Sequence, residues 1–400
     1  MEMYLQFGHG MMNHTRELLS DWGSGGVILS PRDLTGDQMR RMGSEIRSRG
    51  AEPFLDPQCL AHDADHARLV NHEYWKVFRD NPSGAFLGGP GTSVLLAELR
   101  KLAESVGVTR HILPGLLART IGEDWFAFQE NIVAEAPNHF GEAPTIATIA
   151  LSQEVMRDEA QIELVIERAR RWAVYGYYIV CENPGSYIVD DPVWLANLLL
   201  LVSGLKLLDR FVIVGYCSHQ LLCLSATMVD VIASGTWLNV RVFPPDKFYS
   251  PEEGEVSRRT TWYYCPQALS EFKLPFLDIA MRMGVLDLMR ASHDIGSHYA
   301  APLFAGPVPT TIEWGEQSAF RHYLSCLHTQ VANAHRPSFG ETVAAHRHDL
   351  ERSRNLLGRL HKAGVFGSDR DFTAGIDVNQ AALAVLEEAR GARMERKWRS

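Results

Sequence analysis

The chain has 400 residues, 46% of them hydrophobic and 22% charged, with a formal net charge of −9 at pH 7. That composition excludes a disordered chain and a globally basic nucleic-acid coat, while leaving room for a local basic groove, since phosphate binding needs only a patch. Six cysteines at 59, 181, 217, 223, 265 and 326 form no CxxC pair, which suits a reducing cytoplasm and not a disulfide framework.

Short apolar runs alternate with helical patterns from the start. YLQFG (4–8) is followed by the helical MMNHTRELLSDW (11–22), then VILSPRDL (27–34), a helix DQMRRMGSEIRSRG (37–50) and the strand EPFLD (52–56). A polar stretch from His62 to Arg79 carries His66 and His72. Gly88-Gly89-Pro90-Gly91 lacks the Lys-Ser/Thr of a phosphate loop and reads as a plain turn. LLAELRKLAESVG (95–107) is an amphipathic helix leading into TRHILPG (109–115). Next come the strand IATIALS (146–152), one long helix over 154–176, the strand YYIVCENP (177–184) and the helix VWLANLLLLVSGLKLL (193–208). The most informative run, 210–241, reads as strand FVIVG, short helix SHQLLCLSATM, strand VDVIAS and a polar loop ending in Asn239 and Arg241.

Eight strand candidates with helices between them predict parallel pairing and an α/β (β/α)8 TIM-like barrel over 1–245; a doubly wound open sheet is the alternative. Beyond it the alternation stops. Residues 246–318 read as an insertion or extension with one helix near 276–292, and 319–400 as a helical C-terminal region. The basic tail from Arg390 to Ser400 reads as a solvated helix end. The most apolar run, Trp194–Leu208, is broken by Asn197, Ser203, Gly204 and Lys206 and is too short to span a bilayer, and the N-terminus lacks a signal-peptide pattern. A cytoplasmic protein with no membrane partner is expected.

In a parallel barrel, reactive groups gather at the C-terminal ends of the strands. The polar residues expected there are Ser30-Pro31-Arg32-Asp33, Asp56-Pro57-Gln58, Ser152-Gln153, Glu182-Asn183, Tyr216-Ser218-His219, and Asp230 with Asn239 and Arg241. Converging carboxylates point to general acid–base or nucleophilic work. Each acid also has a bland reading: Asp56 before Pro57 as a helix N-cap, and Asp230 as a buried acid tied by backbone amides.

The order of these features resembles the tRNA-guanine transglycosylase superfamily over 1–245, returning weakly at AAHRHDLERSRNLLGRLHKAGVF (344–366). EPFLDPQ is similar to the family's strand ending in Asp, Gln153 to its base-reading Gln, GYYIVCENPG to its Gly-rich turn, and 210–241 to its nucleophile strand and arginine loop. The resemblance implies exchange of guanine for a 7-deazaguanine base through a covalent Asp–nucleotide intermediate. Asp230 would be the nucleophile and Asp56 the general acid–base. Gln153, Glu182, Gly185 and Gly215 would hold the base, and Asn239 and Arg241 the phosphate or ribose. The sequence departs from the family's Asp-Ser-Gly-Gly-Phe-Gln signature, and of the three-cysteine zinc site only Cys265 is well placed, with His293 or His346 as fourth ligand. No metal and no cofactor are therefore expected. The departures favour a divergent DpdA-like branch that acts on DNA, with tRNA as the other candidate nucleic acid and proteins of a modification cluster as partners. Two alternatives stay open: a non-catalytic nucleic-acid-binding partner subunit, and a barrel hydrolase with a metal on His62, His66 and His72.

Overall fold

The computed structural model describes residues 1–80, 90–250, 260–292, 294–295 and 297–400. Gly88 and Gly89 of the expected turn, and His293 of the expected zinc remnant, lie outside the described residues.

Nine strands form one all-parallel sheet: β1 (Glu2–Gln6), β2 (Gly26–Leu29), β3 (Glu52–Leu55), β4 (His111–Ile112), β5 (Leu117–Ala118), β6 (Thr145–Leu151), β7 (Gly176–Cys181), β8 (Phe211–Val214) and β9 (Val231–Ser234). Their order is β3-β2-β1-β9-β8-β7-β6-β4, with β5 also paired to β6. Pro114-Gly115 splits β4 from β5, and the two short pieces share one stave, so the sheet is a nearly closed eight-stave barrel of the (β/α)8 type. Strands buried on both faces must read as continuous apolar runs, and these do. β2 and β8 are GVIL and FVIV, with almost every residue buried. The seam between β3 and β4 is closed by side chains and one loop bond. Arg110 Nε donates to Glu52 Oε1 at 2.8 Å, and the Leu117 N–H donates to the Leu60 carbonyl at 3.0 Å.

Caps set the helices. Asp191 accepts from the Val193 and Trp194 amides and starts the helix Pro192–Lys206, with proline in its first turn where no N–H is needed. The long helix expected over 154–176 is broken for the same reason. The Asp158 carboxylate captures the Ala160 and Gln161 amides and begins a new helix, Glu159–Ala169, after the short Gln153–Met156. The short helix expected over 218–228 is a 3-10 segment, His219–Thr227. Two helices arise where none was expected: Glu73–Asp80 inside the polar stretch, and Glu123–Phe140.

After the barrel come a hairpin of β10 (Trp262–Cys265) and β11 (Ser270–Lys273), then the helices Glu316–Ala334, Phe339–Lys362 and Thr373–Trp398. The last of these packs along Pro192–Lys206, and there Arg390 reaches Glu163. One apolar core runs continuously from Met3 to Met394. β11 and the 3-10 turn Ser368–Arg370, between the last two helices, bring Glu271 and Arg370 together beside Arg241, downstream of β9. No helix among the described residues is long and apolar enough to cross a membrane.

Candidate site at the C-terminal mouth of the barrel

Asp56 follows β3 directly and is 2% exposed. Its Oδ2 accepts from the Tyr216 hydroxyl at 2.9 Å and the Tyr178 hydroxyl at 3.1 Å, and its Oδ1 from the Gln58 amide at 3.0 Å. Tyr178 projects from β7 across the barrel interior, and Tyr216 stands one residue past Gly215 at the end of β8. Gln6 of β1 sits against the same Tyr178 hydroxyl at 3.2 Å, with its Nε2 lacking a partner among the described residues. Tyr178 has one proton, so it cannot donate to both Gln6 Oε1 and Asp56. Rotating the Gln6 amide aims Nε2 at the hydroxyl and frees that proton for Asp56.

A second ring of bonds surrounds this centre. Gln58 Nε2 donates to Ser30 Oγ (2.9 Å), Ser30 Oγ to Asp33 Oδ2 (2.7 Å), and the Arg32 amide to Gln58 Oε1 (2.9 Å). Arg32 Nη1 pairs with Asp33 at 3.0 Å. Lys247 closes the mouth from above. It lies on the 3-10 turn Pro245–Phe248, is 8% exposed, and holds its ammonium 3.8 Å from the centre of the Tyr216 ring. Its Nζ donates to the Asn239 carbonyl at 3.2 Å.

Burial displaces the two central groups in opposite directions. Desolvation raises the Asp56 carboxyl above the ordinary aspartate range, with Lys247, Tyr216, the Gln58 amide and Tyr178 pulling it back. Desolvation lowers Lys247 to about 7, opposed by Asp33 and Asp56 and reinforced by Arg32. Two backbone outliers hold the network in place. Gln58 (φ 58°) and Tyr216 (φ 56°) are left-handed although neither is glycine. Each costs on the order of 1–3 kcal/mol, and such strain gathers at working sites. Beside Asp33 a cleft of about 1,030 Å³, its open mouth included, is lined by His9, Asn13, Arg16, Arg41 and Arg68.

Asp230 is elsewhere. It precedes β9 rather than ending it, and in an all-parallel barrel that places it on the N-terminal face, at the far end of the staves from Asp56. Its Oδ2 accepts from Lys206 Nζ at 2.6 Å and from the Val212 amide at 2.7 Å. Its own carbonyl accepts from the Glu2 amide at 2.7 Å. The expected convergence of Asp56 and Asp230 on one base is therefore corrected: Asp230, a partly exposed acid held by one amide and a lysine, ties β1, β8 and the helix Pro192–Lys206 together.

Gly215 makes room for Tyr178. A Cβ there would stand 2.6 Å from the Tyr178 hydroxyl, so glycine is needed for Tyr178 to cross the barrel. Glu182 and Gln153 do come together at the ends of β7 and β6, Glu182 Oε2 accepting from the Gln153 amide at 3.1 Å, and burial raises the Glu182 carboxyl. Gly185, at φ 144°, belongs to the turn after Glu182 and contacts its own neighbour Asn183. Asn239 contributes its carbonyl to Lys247. Arg241 is buried against Glu271, at 3.1 and 3.2 Å to its two oxygens. His346 faces Asn379 Oδ1, at 3.3 Å, and Cys265 lies against the Met289 carbonyl. His62 binds the Phe78 carbonyl and His72 the Pro31 and Leu34 carbonyls, so these histidines do not converge; among the described residues no cluster of three or more His, Cys, Asp or Glu can hold a metal.

Lys247, Glu271 and Arg370 were not anticipated. None of the three had a signal in the sequence: Lys247 stands beside Asp246 in Pro-Pro-Asp-Lys-Phe, which reads as a solvated turn. Comparison with known proteins found no matching family model and no matching curated relative.

Proposed function

We propose that the chain is an enzyme of glycosidic-bond chemistry on a purine nucleotide in nucleic acid, working in the manner of the guanine transglycosylases, with Asp56 as its proton-transfer group. The observation that supports this most is the buried Asp56, its carboxyl raised by desolvation and ringed by two tyrosine hydroxyls and a backbone amide beneath Lys247, at the barrel face where such enzymes keep their chemistry. Burial raises the proton affinity of the Asp56 carboxyl, which would protonate the departing base as its bond to C1′ breaks and take the proton of the incoming base as that base's nitrogen bonds to C1′. The carboxylate left behind then has two tyrosine hydroxyls, a backbone amide and the Lys247 cation around it. The arginine-lined cleft beside Asp33 gives the substrate's phosphates an approach. The covalent role given to Asp230 is no part of this proposal. DNA remains the preferred substrate over tRNA, on the departures from the family's signatures.

A second reading is favoured by the sealing of Asp56 beneath Lys247: a non-catalytic barrel that binds nucleic acid as a partner subunit. Incubating the protein with labelled guanine and either tRNA or duplex DNA separates the two. The enzymatic reading expects incorporation into one nucleic acid, reduced at least about 100-fold in Asp56→Asn and retained in Asp230→Asn. Salt-dependent binding without exchange supports the partner reading, and neither exchange nor binding overturns both.

A further inference from the structure

The cleft beside Asp33 lies where β1 passes into the helix Met12–Trp22, and about 460 Å³ of it is room that a ligand can occupy. That volume falls within the ordinary range of small-ligand sites, roughly 300–1,000 Å³. Its charges are unevenly matched. Arg16 is engaged by Glu45 (Nη2 to Oε1, 3.0 Å) and by Asn13 Oδ1 (2.7 Å), and Asp33 is answered by Arg32 at 3.0 Å. Those pairs cancel. Arg41 and Arg68 line the same cleft, and neither has an ion pair among the described residues. Arg68 donates from Nη1 to the Asp33 carbonyl at 2.5 Å, an acceptor without charge. Glu45, which also feels Arg41, is shared with Arg16 and Arg49.

The start of the helix adds to this excess. Met12 and Asn13 of its first turn line the cleft, that turn holds no acidic residue, and no side chain caps it. The free amides and the dipole of such an end act as roughly half a positive charge. Two cations without counter-charges, beside an uncapped helix start, call for a compact head bearing two negative charges. A diester linkage carries one. A phosphomonoester carries about 1.5 to 2 at neutral pH and offers three acceptor oxygens, which arginine forks grip two at a time.

We propose that this cleft is a binding site for a phosphomonoester, its phosphate held between Arg41, Arg68 and the amides that open the helix Met12–Trp22. The assignment rests on the reading of the cleft as an approach for phosphate, names which phosphate it takes, and holds whatever Asp56 does. The monoester comes either from the phosphorylated end of a nucleic-acid strand or from a small phosphorylated molecule, and both present the same dianion.

Calorimetric titration of the full chain at low salt and about pH 8, with phenyl phosphate and with phenyl methyl phosphate, tests it, because the two share a ring and differ by one charge. Saturable binding of the monoester, about tenfold tighter than the diester, is expected. Arg41 is exposed and unpaired, so Arg41→Gln should lower monoester affinity about tenfold and leave the fold intact. Arg40→Gln, which removes a partner of Asp37 outside the cleft, should leave the affinity unchanged. Asp56→Asn should bind as the wild type does, which keeps this outcome apart from that of the exchange assay. Single strands of one sequence bearing a 5′-phosphate or a 5′-hydroxyl separate the two sources. A preference for the phosphorylated strand assigns the site to chain ends, and equal binding of the strands beside monoester selectivity assigns it to a small molecule. No saturable monoester binding, equal affinity for the diester, or unchanged affinity in Arg41→Gln overturns the proposal.

Discussion

Replacing Lys247 by Met should stabilise the fold at neutral and acid pH and remove a specific pH dependence. Burial holds the Lys247 ammonium at about 7 in the native state, against an ordinary lysine value of 10.5. Below pH 7 the folded and unfolded chains both carry the proton, and the cost of burying the cation is fully present. Between pH 7 and 10.5 the unfolded chain binds a proton that the folded one has released, so native stability rises with pH. Above 10.5 both forms are neutral and the cost is gone. Each pH unit in that window is worth about 1.4 kcal/mol, so between pH 6 and pH 9.5 this lysine adds about 3 kcal/mol to wild-type stability. Groups that do not feel Lys247 act alike in the two proteins and cancel in the comparison, whereas Asp56 loses a cation that lowers it and holds its proton to higher pH in the variant. Urea unfolding of wild type and Lys247→Met at both pH values reads the difference directly. The gap should favour the variant at pH 6 and shrink by about 3 kcal/mol at pH 9.5. A gap that stays constant, or widens with pH, would refute the burial argument for Lys247.

Glu271→Gln leaves the Arg241 and Arg370 guanidiniums buried against an uncharged partner and should cost about 3–5 kcal/mol in urea unfolding. The Glu271 carboxyl is held at about 2 by the two arginines, so its contribution is present above the ordinary glutamate range and is lost as pH falls from there through about 2; the variant should show a shallower acid limb. Asp230→Ala should cost about 1–3 kcal/mol by orphaning the Val212 amide and Lys206, and Asp230→Asn, which keeps an acceptor for Val212, less. A catalytic loss in Asp230→Asn at unchanged stability would restore it to the mechanism. Gly215→Ala should displace Tyr178, costing about 1–3 kcal/mol and, in the proposed enzyme, exchange activity as well.

The barrel was legible because its strands are buried on both faces and so announce themselves as bare apolar runs. What stayed hidden was local. The helix Glu123–Phe140 carries Pro137 in its last turns and a mixed aromatic and acidic face, which blurs the helical period. The break at Asp158 depends on whether a carboxylate turns back to cap amides or points to solvent, a choice that periodicity does not encode. The hairpin of β10 and β11 is short and aromatic, and its role is set by the remote partner Arg241.

Asp56 and Asp230 show where reading a site from sequence succeeds and where it fails. Both flank an apolar run, and both were assigned to a strand's C-terminal end. Asp56 comes after Phe54-Leu55, so its carboxyl reaches the mouth. Asp230 comes before Val231-Ile232, and the chain enters the strand only after it. In a parallel barrel the order of acid and apolar run decides the face: acids that follow the run gather with Tyr216 and Lys247, and acids that precede it meet the lysines and amides of the opposite rim. The downstream Asn239 and Arg241 drew Asp230 toward the wrong face, although four strand residues, each advancing about 3.3 Å, separate it from them. The same rule identifies the second mouth carboxylate. Asp33 follows β2, as Asp56 follows β3, and it shares the Lys247 field. The acid beside Asp56 at this mouth thus comes from the neighbouring strand β2 and not from β9, and Asp33→Asn is the substitution to set beside Asp56→Asn in the exchange assay.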